Sequence, residues 1–331
     1  MRNAARSLLP LYINPSSFLI EEGMRWKRGQ RLKLVSEEEA PESTRAIFRD
    51  IRDSLGVPVV PTVYQAYAAF PQFLELHWRV FQPVLQTAHF FLVGSRLAAE
   101  AYTRAHNYFE ICSLRRRESA RVPTTLSLAQ VLDYYQYLDP LQLLVTAAQM
   151  QAFEGPTGGP QRTREPARHP QFTIAPALMS DQHASPGLQR SWNERKRVLE
   201  LALVSDEHRA LACWPEFYAE YWTALRELLQ SPVYADCQFR LAESALSMTS
   251  ELPVRVEVGL PQMLEAGLSD EQVTAVMRMN EALMQALTGV VLDITFARIG
   301  YEGGTRGEPG PHTGPASEHT ASPEGSPIRA A

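Results

Sequence analysis

Val204-Ser205-Asp206-Glu207-His208-Arg209-Ala210-Leu211-Ala212-Cys213-Trp214-Pro215 opens on a Ser-Asp pair suited to starting a helix and closes on Trp-Pro, a helix break. The same frame occurs earlier as Pro61-Thr62-Val63-Tyr64-Gln65-Ala66-Tyr67-Ala68-Ala69-Phe70-Pro71, 144 positions upstream. At that offset Ala66 matches Ala210, Ala68 matches Ala212, Pro71 matches Pro215, Phe73 matches Phe217 and Trp78 matches Trp222. Arg96-Leu97-Ala98 then matches Arg240-Leu241-Ala242 without a gap. A fixed offset kept over this length is the signature of a tandem duplication. The copies differ where chemistry is concerned: the first has Thr62 where the second has Asp206.

Outward from these two corners the chain reads as helices. Ile47, Ile51 and Leu55 recur at helical spacing behind a cap at Ser43 or Thr44, and Gly56 with Pro58 ends that helix. A short helix from about 62 to 69 is followed by one over 71–86, with Phe73, Leu76, Val80 and Val84 on its buried face. A further helix is expected from His89 to about Leu114, before the basic run Arg115-Arg116-Arg117, which reads as a solvated loop. Leu126 to Met150 is helical by pattern but holds Pro140, so a kink is expected there, with Asp139 at the break. The segment Leu268-Ser269-Asp270-Glu271-Gln272-Val273 echoes Leu126-Ser127-Leu128-Ala129-Gln130-Val131, and Ser269 caps the last long helix. The one strand-like stretch, Val254 to Val258, is isolated. The expected fold is all-α, in two tandem pseudo-symmetric helical repeats. Repeat 1 covers 42–152 and repeat 2 covers 188–301. They are joined by a Gly/Pro-rich linker at 153–187 and flanked by an extension at 1–41 and a disordered tail at 302–331.

Composition narrows the function. A chain of 331 residues with 45% hydrophobic content has the material for a substantial core. A net charge of −5 argues against nucleic acid as a partner. Cys112, Cys213 and Cys237 are odd in number and scattered, which fits a reducing cytoplasm and argues against a redox pair. Leu283 to Ile299 is apolar but carries Asp293 and Arg298, so it reads as a buried helix rather than a membrane span. The histidines do not pair at metal-binding spacing, and phosphate loops and the Gly-x-Ser-x-Gly elbow are missing, so no cofactor and no metal are expected. Ser205, Asp206 and His208 are the residue types of a hydrolase triad, but one helical turn points them apart.

That leaves carboxylates. As plain structure, Ser205 is an N-cap and Asp206 an acid interacting with the helix dipole. As chemistry, Asp206 is a base for water. Asp139 reads either as a surface helix breaker or as a group lining a cavity. Tyr134, Tyr135 and Tyr137 read as core packing with hydroxyls reaching water.

The chain resembles the group I 2-haloacid dehalogenases, also called the halocarboxylic acid dehydrogenase family. The resemblance spans roughly 42 to 300 and rests on four stretches. They are Ile47-Phe48-Arg49-Asp50-Ile51-Arg52 with Leu55-Gly56-Val57-Pro58; Ala68-Ala69-Phe70-Pro71-Gln72-Phe73-Leu74; Ser205-Asp206 with Arg209-Ala210-Leu211-Ala212-Cys213-Trp214-Pro215; and Leu292-Asp293-Ile294-Thr295. It implies a cofactor-free hydrolase that replaces the halogen on C2 of a short haloacid by direct attack of water, with inversion and without a covalent intermediate. The site would lie between the repeats. Asp206 falls at the catalytic base and Ser205 just before it, with backbone amides at the helix start holding the substrate carboxylate. Asp139 stands where the family has a water-positioning asparagine. Val59 and Thr62 stand where the family has pocket aromatics, and Leu287 where it has a pocket tyrosine. The implied partner is a small anionic substrate, and a homodimer is the expected assembly on general grounds. The alternative is a catalytically lapsed member that binds a small carboxylate or another protein.

Overall fold

The computed structural model describes residues 33–114, 120, 124–159, 165–198 and 204–305. The Arg115–Arg117 run, most of the N-terminal extension and residues 306–331 lie outside the described residues.

The described chain is helical. In order it runs α1 (Glu42–Leu55), α2 (Thr62–Tyr67), α3 (Pro71–Leu85), α4 (Ala88–Tyr108) and α5 (Leu128–Glu154). After the linker come α6 (Pro186–Val198), α7 (Asp206–Leu211), α8 (Pro215–Leu228), α9 (Pro232–Met248), α10 (Leu260–Glu265) and α11 (Asp270–Glu302). Among the described residues extended pairing is limited to isolated bridges, Thr87 with Pro166 and Thr157 with Val256. The Val254–Val258 stretch therefore joins no sheet.

The centre of the molecule is α5 against α11, with α4 and α9 packed around them. Both central helices start in the same way. Ser127 accepts from the Gln130 N–H and Ser269 from the Gln272 N–H, and each glutamine side chain returns to its serine N–H. α11 is long and apolar enough to cross a membrane, but 78% of its most apolar window is buried inside the fold. It is a core helix, as its Asp293 implied. Pro140 lies inside an uninterrupted α5 rather than ending it. The carbonyl it strands belongs to Gln136, which lines the same cavity as Pro140. The next residue, Leu141, seats on Gly94 of α4, where an added Cβ would collide with the leucine methyl.

The two corners have closely matching backbones. The residues before α2 and α7, Pro61 and Ser205, have φ/ψ of −63/147° and −69/157°. Those after them, Ala68 and Ala212, have −65/−14° and −66/−12°. Phe70 and Trp214, which lead into α3 and α8 at Pro71 and Pro215, have −126/84° and −109/84°.

Two local expectations need correction. Residue Pro41, not Ser43 or Thr44, precedes α1, and no side chain caps it; Glu42 in the first turn bonds Arg45 and Arg49 instead. α4 stops at Tyr108 rather than near Leu114. Residues 109–114 turn extended because the end of α11 offers them partners: Leu114 N–H donates to the Gly300 carbonyl at 2.8 Å and Thr305 N–H to that of Ile111 at 2.9 Å. The linker, though poor in regular structure, is tied to both halves. Phe172 N–H donates to the Gly56 carbonyl at 2.8 Å, and Met179 N–H to that of Arg209 at 3.0 Å. Gly56 takes the left-handed φ of 65° expected of a glycine that ends a helix.

Candidate active site

The starts of α2 and α7 face one another. Thr62 Oγ1 donates to Asp206 Oδ2 over a long 3.5 Å. The next residue, Val63, donates its backbone N–H to Gln142 Oε1 at 3.3 Å. The same amide donates from Nε2 to Asp139 Oδ1 at 3.2 Å. A hydrogen-bonded path thus runs from Asp206 on α7, across the first turn of α2, to Asp139 on α5. Asp139 is 2% exposed, so it is not the surface helix breaker that an Asp-Pro pair also allowed. Among the described residues its Oδ2 and the buried Tyr134 hydroxyl have no hydrogen-bond partner.

The electrostatics follow from burial. The Asp139 carboxyl is pushed well above the usual range by desolvation first, then by the charges of Glu207 and Asp206. Asp206 is also raised by burial, while Arg209 and the Thr62 hydroxyl oppose the shift. Tyr134 and Tyr135 are raised by burial and then by the nearby carboxylates, Asp139 and Asp206 among them. Both tyrosines belong to the core, as expected, but the Tyr134 hydroxyl is buried rather than wetted. Tyr137 differs: its hydroxyl donates to the Leu55 carbonyl at 2.6 Å.

The side chains flanking Asp206 turn the other way, into a buried ion network. Ser205 is the N-cap residue by backbone, but its side chain caps nothing; its hydroxyl donates to Glu207 Oε1. Glu207 lies 3.8 Å from Arg195 of α6, whose Nη2 is 3.1 Å from Asp293 Oδ2 of α11. Asp293 also accepts from the Tyr234 hydroxyl at 2.7 Å, and His208 Nε2 lies 3.4 Å from its Oδ2. All of these are buried. The triad types of 205–208 are thus separated in space as well as by direction: His208 belongs to Asp293, Tyr218 and Tyr221.

Of the residues singled out from sequence, Asp206, Asp139, Thr62 and Ser205 come together here. Val59 lies in the connector ahead of α2 and is 40% exposed, and Leu287 is buried among the core side chains of α11. Neither belongs to the hydrogen-bonded path. Gln142, Tyr134, Glu207, Arg195 and Asp293 were missed as members of the site. The spacing of Asp139 and Gln142, one helical turn apart, was the only local signal. Among the described residues no group of His, Cys, Asp and Glu could hold a metal ion.

Comparison with known proteins meets this geometry. The family described as "Halocarboxylic acid dehydrogenase DehI" matches residues 58–208, the segment bounded by the two corners. An (R)-2-haloacid dehalogenase of Pseudomonas putida is 25% identical over 80% of this chain and 91% of its own. Another, from Rhizobium sp. (strain NHG3), is 24% identical over 67% of this chain and 88% of its own. The same fold occurs in a D-2-haloacid dehalogenase solved with L-LA and, as a mutant, with D-2-CPA. Each has a TM-score of 0.75 at 24% identity and covers 82% of this chain and 97% of the other. The chain is thus similar to the 2-haloacid dehalogenases in sequence and shares their fold.

Proposed function

We propose that the protein hydrolyses the carbon–halogen bond of short 2-haloalkanoic acids by direct attack of water on C2, without a cofactor. Asp206 is the base. As the water oxygen bonds to C2, the halide leaves with the C–X electron pair and a water proton passes to Asp206, which returns it to solvent. Attack from the face opposite the halogen inverts C2 and leaves no covalent enzyme intermediate. Asp139 is the water-side partner. Thr62 steadies the Asp206 carboxylate. The Ser205 hydroxyl is committed to Glu207, so its part in substrate binding is through the main chain. Val59 and Leu287 shape the outer and inner walls of the pocket. The relatives' names give the reaction class: they are (R)-2-haloacid dehalogenases.

The observation that carries this reading is the Asp206–Thr62/Val63–Gln142–Asp139 path. It brings a buried carboxyl group with a free oxygen, Asp139, into one space with a half-buried one beside a hydroxyl, Asp206, which suits the activation of water. The second reading, a lapsed member that binds a small carboxylate or another protein, is favoured by the negative charge gathered here, which repels an anionic substrate unless it is neutralised.

Halide release from both enantiomers of 2-chloropropanoate separates the two. The expected result is release by the native protein and a loss of about 10²–10⁴-fold in Asp206→Asn, the usual contribution of a general base. Absence of release from either enantiomer would leave the lapsed reading.

A further inference from the structure

The Asp139 carboxyl has a defined orientation and, among the described residues, no cation acting on it. Gln142 Oε1 accepts from the Val63 backbone N–H, which can only donate, so the amide must present its NH2 to Asp139 Oδ1. Oδ1 is therefore an acceptor, and Oδ2, buried and unpartnered, is the free oxygen. The charges acting on this group are those of Glu207 and Asp206 from α7, both negative. The cations that act on those two carboxylates are engaged elsewhere. Arg195 is held by Asp293 at 3.1 Å, and Arg209 by Asp181 at 3.1 Å and the Met179 carbonyl at 3.0 Å. From α5 itself the facing groups are Tyr134, Tyr135 and Gln142. Around Pro140, α4 and α11 present Ala98, Ala99, Tyr102, Val291, Ile294 and Thr295, which carry no charge. A buried carboxylate without a cation takes up a proton rather than pay the desolvation cost.

Building on the dehalogenase reading, we propose that Asp139 works as a neutral carboxylic acid, with its proton on Oδ2, and donates a hydrogen bond into the site while Asp206, of the two aspartates, is the ionised one. Two consequences follow. The site can then take an anionic substrate, because one negative charge has been removed from beside it. Turnover also has an alkaline limit, set by loss of the Asp139 proton, which turns a donor into a second negative charge facing the substrate. The strong upward displacement of this carboxyl agrees with the geometry.

Asp139→Asn tests this, because a carboxamide donates from the same place but cannot ionise. The pH profile of halide release from 2-chloropropanoate should fall on the alkaline side in the native enzyme. In the variant that limb should be absent, with the acid-side rate kept within about tenfold, less than removal of a proton-transfer group costs. A difference infrared spectrum, native minus Asp139→Asn at neutral pH, should contain the carbonyl stretch of a protonated carboxylic acid. If the variant fails to fold, carbon-13 carboxyl-labelled aspartate in the native protein reads the same band by its isotope shift. A carboxylate band alone, or a loss in Asp139→Asn as deep as in Asp206→Asn, would overturn the proposal. Absence of halide release from native protein would strike the dehalogenase reading instead, while the infrared band would still decide the protonation of Asp139.

Discussion

The corner at α2 and the corner at α7 share a backbone and differ in what they hold. The α2 corner is neutral and aromatic. Tyr67 donates to Asn280 at 2.6 Å, His77 Nδ1 pairs with Gln149 at 2.9 Å, and the His77 ring stacks on Phe81 at 4.0 Å. The α7 corner carries Asp206, Glu207 and His208, anchored through Arg195 and Asp293. At the common offset Val63 corresponds to Glu207, Tyr64 to His208 and His77 to Tyr221. One corner is thus closed by packing and neutral bonds, the other by buried ions. The ionic corner places the Asp206 carboxylate at a helix start, beside the buried Glu207–Arg195–Asp293 network. The neutral corner supplies the wall, Thr62, and through Val63 the link to Gln142.

The largest expected effect comes from breaking the ionic corner. Arg195→Met leaves Asp293 and Glu207 buried without their cation and should destabilise the fold by about 3–5 kcal/mol. The matching change in the neutral corner, His77→Phe, keeps the ring packing and strands only a glutamine oxygen, at a cost of about 1–3 kcal/mol. Denaturant unfolding of both variants compares them directly, and equal losses would contradict a difference in kind between the corners.

A smaller effect, of pH, sharpens the same contrast. Burial, opposed mainly by Arg195, pushes Glu207 up to about 7 from 4.5. The folded protein therefore holds this proton longer than the unfolded chain does. The stability it contributes is complete below 4.5 and is lost as the pH rises through about 7. His77 and His208 act in the opposite sense. Burial lowers them from 6.5 to about 3 and about 4, so their contribution is complete above 6.5 and is lost as the pH falls through those values. Between about pH 5 and about pH 8, the native melting temperature should fall more than that of Glu207→Gln. Parallel curves would remove Glu207 from the account.

Much of this was legible in the residues, for local reasons. The corners repeat a Pro-bounded frame, Gly56 ends a helix, and Ser127 and Ser269 open helices with a glutamine three residues on; each acts within a turn or two of itself. The burial of Asp139 was half legible: Asp-Pro reads equally as a surface break and as a cavity edge, and only the packing of α4 and α11 on α5 decides. Arg195 and Asp293 were not legible as a pair, because an ion pair spanning 98 positions leaves no pattern in either stretch. The early end of α4 was hidden for the same reason, since its partners come from the far end of α11. The Ser205 hydroxyl misled because its competitor, Glu207, is itself placed by Arg195.

The central claim is that Asp206 activates water and does not itself attack carbon. One turnover of 2-chloropropanoate, with enzyme in excess and in heavy-oxygen water, tests it most directly. The account predicts that the hydroxyl of the first product molecule carries the heavy isotope, with inverted configuration at C2, and that peptides containing Asp206 carry none. An unlabelled first product with the label in Asp206 would show a covalent ester and contradict the account.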